Sequence, residues 1–110
     1  MNALPIVWDA GYSPDFPETH RFPMAKFRLL KEWVDNNVSQ TQCFLPTPCS
    51  LDVLLQTHDL QYVSDFQAGT LDPKVAREIG LPWSTGLRDR TILALGGSIK
   101  TCELAKEYGL

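Results

Sequence analysis

Cysteine and histidine are scarce in this sequence, which holds three cysteines and two histidines among 110 residues. The cysteines, Cys43, Cys49 and Cys102, are odd in number and form no Cys-x-x-Cys pair. This argues against a disulfide framework and against a zinc knuckle. We expect the three side chains to serve as small buried apolar groups.

Long apolar runs and an excess of positive charge are also lacking. No run approaches the roughly 18 apolar residues that a membrane span needs, and the amino-terminal stretch MNALPIVWDAGYS has no basic n-region of a signal peptide. The net charge is −3, so the field of the protein repels phosphate backbones. We therefore expect a cytoplasmic protein that binds neither membranes nor nucleic acids.

The first half of the chain has the pattern of a strand, a helix and a second strand. The apolar run 5–10, bounded by Gly11, is typical of a buried strand, as is the run 43–45. Pro23 suits the first position of the helix between them. A strand-helix-strand order predicts a parallel pair. The apolar stripe expected on that helix comprises Met24, Phe27, Leu30, Trp33, Val34 and Val38.

The second half is predicted to be helical. Capping residues precede three shorter apolar segments and one long one that runs towards Tyr108. The predicted caps are Ser50, Asp59, Asp72 with Pro73, and Ser84 or Thr85. Gly69 and Gly80 are expected to end two of the short helices.

The long helix has its own predicted faces. Its expected inward positions are Leu87, Ile92, Leu95, Ile99, Cys102 and Ala105. Gly96-Gly97 predicts a bend or the close approach of another backbone, because two glycines inside a helix are otherwise unfavourable. The mixed charges of Arg88-Asp89-Arg90 are typical of a solvated helix surface.

This inventory is helix-rich but poor in strands. Two short parallel strands do not make a stable sheet alone, and parallel sheets need both faces covered. We expect residues 1–110 to form a single segment of a domain that is incomplete, or that is completed by a second copy.

The loop before the first helix concentrates polar and aromatic groups. In the stretch 12–30, YSPDFPETHRFPMAKFRLL, Asp15, Glu18 and His20 alternate with Phe16 and Phe22. Loops placed between a strand and a helix commonly carry binding or catalytic groups. A histidine here can equally be a structural loop residue bonded near Asp15 or Glu18.

Three segments of the chain resemble the amino-terminal region of the histone deacetylase superfamily, in its bacterial and class IV-like branch. The first combines Tyr12-Ser13-Pro14 with the run 20–26, HRFPMAK. The second is the run 54–62, LLQTHDLQY, which is similar to the family's leucine-x-x-small-His-x-x-x-Tyr segment. The third runs from Leu81-Pro82-Trp83 to Gly96-Gly97-Ser98. The order and spacing of the three follow the family and cover nearly the whole chain.

The resemblance implies an arginase/deacetylase-like three-layer parallel-sheet fold and a zinc-dependent amidohydrolase that acts on acetyl-lysine-like substrates. The family's metal ligands include an Asp-x-His pair and its acid/base group is a His-His pair; neither motif occurs here. We expect the chain to hold no catalytic residue, to bind no zinc and to be inactive alone. Its partners would be the remainder of the deacetylase domain, and an acylated amine in the whole enzyme.

The resemblance also marks three candidates for the wall of the substrate channel: Phe16, His20 and Lys26. Lys26 aligns with a basic residue that faces an internal pocket in parts of the family; a bridge to Glu32 or Asp35 is the ordinary alternative. Gly80 stands where some members carry a substrate-binding aspartate. The run Thr57-His58-Asp59 is not expected to be a catalytic triad, because Asp59 suits a helix cap. The alternative for the chain as a whole is a non-catalytic, self-associating helical interaction module.

Overall fold

The computed structural model describes residues 3–110, about 55% of which are helical. These residues form two strands, a 3-10 turn at Ala10–Tyr12 and five α-helices. The strands are β1 (Leu4–Val7) and β2 (Thr41–Phe44), and the helices are α1 (Lys26–Asn37), α2 (Leu51–Leu54), α3 (Leu60–Ala68), α4 (Pro73–Ile79) and α5 (Thr85–Tyr108). The predicted helix-rich α/β class is confirmed. None of the helices within 3–110 has the length and apolar character needed to cross a membrane.

The two strands form the predicted parallel pair. Leu4 lies opposite Thr41 and Val7 opposite Phe44. The Leu4 amide donates to the Gln40 carbonyl at 2.7 Å, and that of Trp8 to the Phe44 carbonyl at 3.3 Å. Strand β1 ends before the predicted boundary at residue 10, because the Asp9 carboxylate caps the 3-10 turn by accepting from the Gly11 amide at 2.7 Å.

Helix α1 begins at Lys26, so the prediction that Pro23 occupies the first helical position is wrong. The Lys26 amide donates to the Pro23 carbonyl at 3.0 Å, which closes a turn ahead of the helix. Its N-cap, Ala25, has no side-chain oxygen to offer the first amides. The loop side chain of Ser13 serves this end instead, accepting from the Arg28 amide at 3.2 Å and donating to the Met24 carbonyl at 2.7 Å.

The predicted caps of the second half are confirmed. Ser50 and Ser84 accept hydrogen bonds from the amides of Val53 and Leu87 at 3.3 and 3.0 Å. Asp59 accepts from two amides of α3, and Asp72 from one of α4. Gly69 and Gly80 end those helices with φ of 75° and 79°, in the left-handed region that glycine tolerates best.

The Asp59 cap is expected to contribute measurably to the free energy of unfolding. Replacing Asp59 with alanine leaves the amides of Gln61 and Tyr62 without their acceptor, and we expect the free energy of unfolding to fall by about 1 kcal/mol. Urea denaturation followed by circular dichroism measures this. Asp59→Asn keeps a capping oxygen and should retain most of the stability. An equal loss in both variants would contradict the capping role.

Helix α5 crosses the segment 46–49 and the side chain of Tyr12 at its Gly-Gly pair. A β-carbon on Gly96 would overlap the Thr47 carbonyl, and one on Gly97 would overlap the Tyr12 hydroxyl. The Cys49 amide donates to the Ile92 carbonyl at 3.1 Å across the same contact. The predicted close approach of another backbone is therefore confirmed.

The core is small and the molecule is flat. The buried apolar side chains of the described residues are Met24, Cys49, Leu54, Val63, Leu87 and Leu104. The principal extents are 51 × 35 × 17 Å and the radius of gyration is 15.9 Å, against about 13 Å for a compact domain of this length.

Several residues predicted to be buried lie at the surface. Leu30 is 61% exposed and Trp33 58% exposed, and Cys43 and Cys102 are exposed while Cys49 is buried. Within the apolar stripe of the first helix, Leu30 and Trp33 thus lack cover from residues 3–110, while Phe27, Val34 and Val38 are half-buried. The buried residues of α5 include Leu87, Gly97 and Leu104. Of its predicted inward positions, Leu87 is buried and Ile92 and Ala105 are half-buried, while Leu95, Ile99 and Cys102 are exposed.

Candidate functional site

The aromatic and polar loop that carries the candidates Phe16 and His20 lies between β1 and α1, as predicted. Residues 13–25 leave the carboxyl end of β1 through the 3-10 turn and lead into α1. In parallel α/β sheets, ligands bind in the crevice at the carboxyl ends of the strands. The loop encloses a concavity of about 450 Å³, lined by loop residues that include Asp15, Phe16, His20 and Phe22.

His20 joins this loop to a distant part of the chain. Its Nδ1 accepts a hydrogen bond from the Phe22 amide at 3.0 Å, and its Nε2 lies 3.1 Å from the Gly80 carbonyl. Because an amide only donates and a carbonyl only accepts, the proton belongs on Nε2 and the ring is neutral in this arrangement. The alternative of a partner near Asp15 or Glu18 is not what the structure shows.

Phe16 packs within the loop. Its ring meets that of His20 edge to face at 5.1 Å between centroids, and that of Phe22 at 6.2 Å. Both phenylalanines are half-buried, so the three rings form one wall of the concavity. The carboxylates of Asp15 and Glu18 are exposed and make no ion pair with any residue in the range 3–110.

Lys26 lies over aromatic rings at the start of α1. Its ammonium nitrogen is 4.7 Å from the Phe22 ring centroid and 5.2 Å from that of Phe27. The alternative of a bridge from Lys26 to Glu32 or Asp35 is wrong.

Those two acids pair with other cations of α1. Arg28 binds Glu32 at 3.3 Å and Lys31 binds Asp35 at 2.7 Å. The hydrogen bond that Lys31 donates to the Asp35 carboxylate raises the pKa of the Lys31 ammonium.

Arg90 is a residue of this region that the sequence analysis missed. Its Nε donates to the Tyr12 carbonyl at 3.2 Å, and its guanidinium carbon lies 4.5 Å from the Phe27 ring centroid. Burial lowers the pKa of Arg90 and raises that of the Tyr12 phenol. Arg90 is half-buried and not on a solvated surface as predicted. The sequence contained a sign of this burial, because Arg90 stands three residues after Leu87 and seven before Gly97, on the same helical face.

The histidine of the second segment has a different setting. His58 is exposed and its ring lies 5.9 Å from that of Tyr62, while the Asp59 carboxylate caps α3. No catalytic triad is assembled there. Across residues 3–110, no three His, Cys, Asp or Glu side chains come together in a group that could hold a metal ion. The described residues therefore do not fit a zinc site of their own, and we assign them no step through a metal.

Comparison with known proteins gives one relative and no named activity. No protein-family model matches the sequence. An uncharacterized protein of the cyanobacterium Picosynechococcus sp. is 44% identical over an alignment of 109 residues, which covers 97% of this chain and 36% of the relative. The chain thus spans about a third of the length of the curated relative that it matches.

Proposed function

We propose that the chain is the channel-wall portion of a zinc-dependent deacetylase of the arginase/deacetylase fold, acting on acyl amides such as acetyl-lysine. The observation that supports this is the hydrogen bond between His20 and Gly80. It joins the loop that the resemblance places on the substrate channel to Gly80, the position where some family members hold substrate with an aspartate that this chain lacks. Two segments 60 residues apart in sequence are thereby held together, as a channel wall built from both would need.

The loop has the rigidity that a channel wall requires. His20, through its two ring nitrogens, makes two hydrogen bonds to backbone groups. The hydroxyl of Ser13 also makes two. A site whose walls are held by such second contacts loses little conformational entropy when a ligand binds. The rings of Phe16 and Phe22 suit the aliphatic stem of an acyl-lysine, because such sites are mostly apolar with a few placed polar groups.

In the proposed enzyme, residues outside this chain carry out the hydrolysis. The metal ligands and the acid/base histidines come from polypeptide equivalent to the part of the relative outside the matched region. His20, Phe16 and Lys26 position substrate and do not activate water. The nature of the acyl group and of the amine depends on loops in that remaining part.

A chimera tests the proposal. The 110-residue chain replaces the matching region of the Picosynechococcus relative, and the product is tested for bound zinc and for hydrolysis of an acetyl-lysine peptide. We expect stoichiometric zinc and hydrolysis that a chelator abolishes. The 110-residue chain alone should show neither. A folded chimera without zinc and without hydrolysis would overturn the proposal, as would sub-micromolar zinc binding with hydrolysis by the short chain.

The two histidines provide a matched pair of variants. In the chimera, His20→Ala removes both loop contacts, and we expect kcat/KM to fall about tenfold with zinc content unchanged, because the wall is misplaced. His58→Ala removes an exposed ring outside the loop and should change neither quantity. Equal effects of the two substitutions would argue against a role of the loop in binding substrate.

A second candidate is the self-associating interaction module. It is favoured by the large apolar side chains that α1, α2, α3 and α5 expose, among them Trp33, Val53, Leu60 and Ile99. Exposed apolar patches of this kind mark association surfaces. Light scattering of the chain alone distinguishes the two: a dimer whose melting temperature rises with concentration supports association, and a well-folded monomer counts against it.

A further inference from the structure

An open apolar groove runs along β1 between α1 and the carboxyl-terminal half of α5. Its volume is about 540 Å³. The side chains that line it include Val7, Trp8, Phe27, Leu30, Val34 and Leu104. Lys31 borders it with its ammonium nitrogen 5.2 Å from the Trp8 ring centroid.

The groove adjoins the edge of β1 that pairs with no strand among residues 3–110. The amides of Leu4 and Trp8 donate towards β2, and backbone groups alternate in direction along a strand, so those of Pro5 and Val7 point away from it. Strand β1, Leu-Pro-Ile-Val, is apolar on both faces, which is typical of an internal strand of a parallel sheet. Strand β2 carries Thr41 and Gln42, which suit a sheet edge.

We infer that the edge of β1 and this groove receive a further parallel strand with its covering segment. The source is polypeptide equivalent to the nearly two-thirds of the relative that lies outside the match. The exposed apolar wall of the groove supports this, since Leu30 lines it and is 61% exposed. The inference concerns the sheet and does not use the deacetylase assignment.

A second copy fits this edge poorly. Two-fold pairing of β1 with itself would be antiparallel and would set Pro5 of each copy against Val7 of the other. Proline has no amide hydrogen, so each such pair would keep one of its two hydrogen bonds. A parallel strand that donates to the Pro5 carbonyl and bonds to Val7 avoids this loss.

The test uses two neighbouring leucines of α1. The tagged 110-residue chain is co-expressed with the part of the Picosynechococcus relative outside the match, and complex formation is measured by co-purification and titration. Leu30 lines the groove and Leu29 does not, although both are largely exposed, at 61% and 53%. We expect Leu30→Glu to weaken the complex at least tenfold, because it places a charge in an apolar contact, and Leu29→Glu to leave it unchanged. Amide exchange at Val7 should slow at least tenfold in the complex.

The single-chain chimera gives a second measurement that does not depend on two soluble partners. There, Leu30→Glu should lower the denaturation midpoint while Leu29→Glu should not, and neither should affect the isolated chain. Equal effects of the two substitutions, or a homodimer that Leu30→Glu dissociates and that excludes the relative's polypeptide, would overturn the inference. A complex that binds no zinc and hydrolyses nothing would leave it standing and would reject only the proposed enzyme.

Discussion

Gly96→Ala is expected to destabilise this fold by about 3 kcal/mol or more. The added methyl group would overlap the Thr47 carbonyl and lie 3.0 Å from the Cys49 amide nitrogen. Both are backbone atoms, so relief requires α5 to move away from the segment it crosses, and overpacking of this kind is costly. The gain of about 1 kcal/mol in helix propensity is smaller. Urea denaturation measures the difference, which is a large part of the stability of a small domain.

Two neighbours on α5 serve as controls. At Gly97 the obstacle is the Tyr12 hydroxyl, the end of a side chain, so we expect Gly97→Ala to cost less, about 1–2 kcal/mol. Ser98 is exposed, and Ser98→Ala should be neutral or slightly stabilising. If Gly96→Ala were as stable as Ser98→Ala, the close crossing of α5 over residue 47 would be wrong.

Arg90→Met is expected to cost about 2–4 kcal/mol. The variant keeps an apolar stem but loses a charge-assisted hydrogen bond to the Tyr12 carbonyl and a cation–π contact with Phe27. Arg90 also lowers the pKa of the Tyr12 phenol. The substitution should therefore raise that pKa further, as followed by phenolate absorbance.

The control for Arg90 is Arg77, an exposed arginine in the last turn of α4. Arg77→Met should change the stability by less than about 1 kcal/mol and leave the phenol titration of Tyr12 unaffected. An unchanged titration in Arg90→Met would show that the guanidinium does not act on Tyr12 in solution.

The local features of the fold were predictable from the sequence. Caps at Ser50, Asp59, Asp72 and Ser84 depend on an oxygen reaching an amide two or three residues away, and such chemistry is contained within a few residues. The prediction for Pro23 also used local chemistry, and it was wrong. The fixed φ of Pro23 suits a turn as well as a helix start, and the hydrogen bond from Lys26 decided for the turn.

The inward faces were harder to predict because an apolar stripe does not show whether anything covers it. Leu30 and Trp33 follow the helical period of α1 and are nevertheless exposed. On α5 the buried face follows the Gly-Gly pair, whose small size admits the backbone of residue 47. Spacing showed that something approaches closely there, but the identity of the approaching segment depends on the whole topology.

The candidate loop was located from sequence, and its contacts were not. The partner of His20 is a backbone carbonyl 60 residues away. Every residue has such a carbonyl, so residue type does not identify the one that accepts. The same holds for Arg90 and the carbonyl of Tyr12. The role of these residues in a deacetylase stays a prediction that the chimera tests.

The crossing of α5 over the Tyr12 region bears on how the protein is made. Tyr12 lies against Gly97, and Arg90 bonds to it across 78 residues. A ribosome must therefore have extended the chain well past residue 97 before the amino-terminal strand and turn find their permanent neighbours. Until then β1, which is apolar on both faces, stays exposed in the nascent chain. Contacts between residues so far apart in sequence form slowly. Exposed apolar segments and unpaired strand edges of this kind are prone to aggregate before the native contacts form.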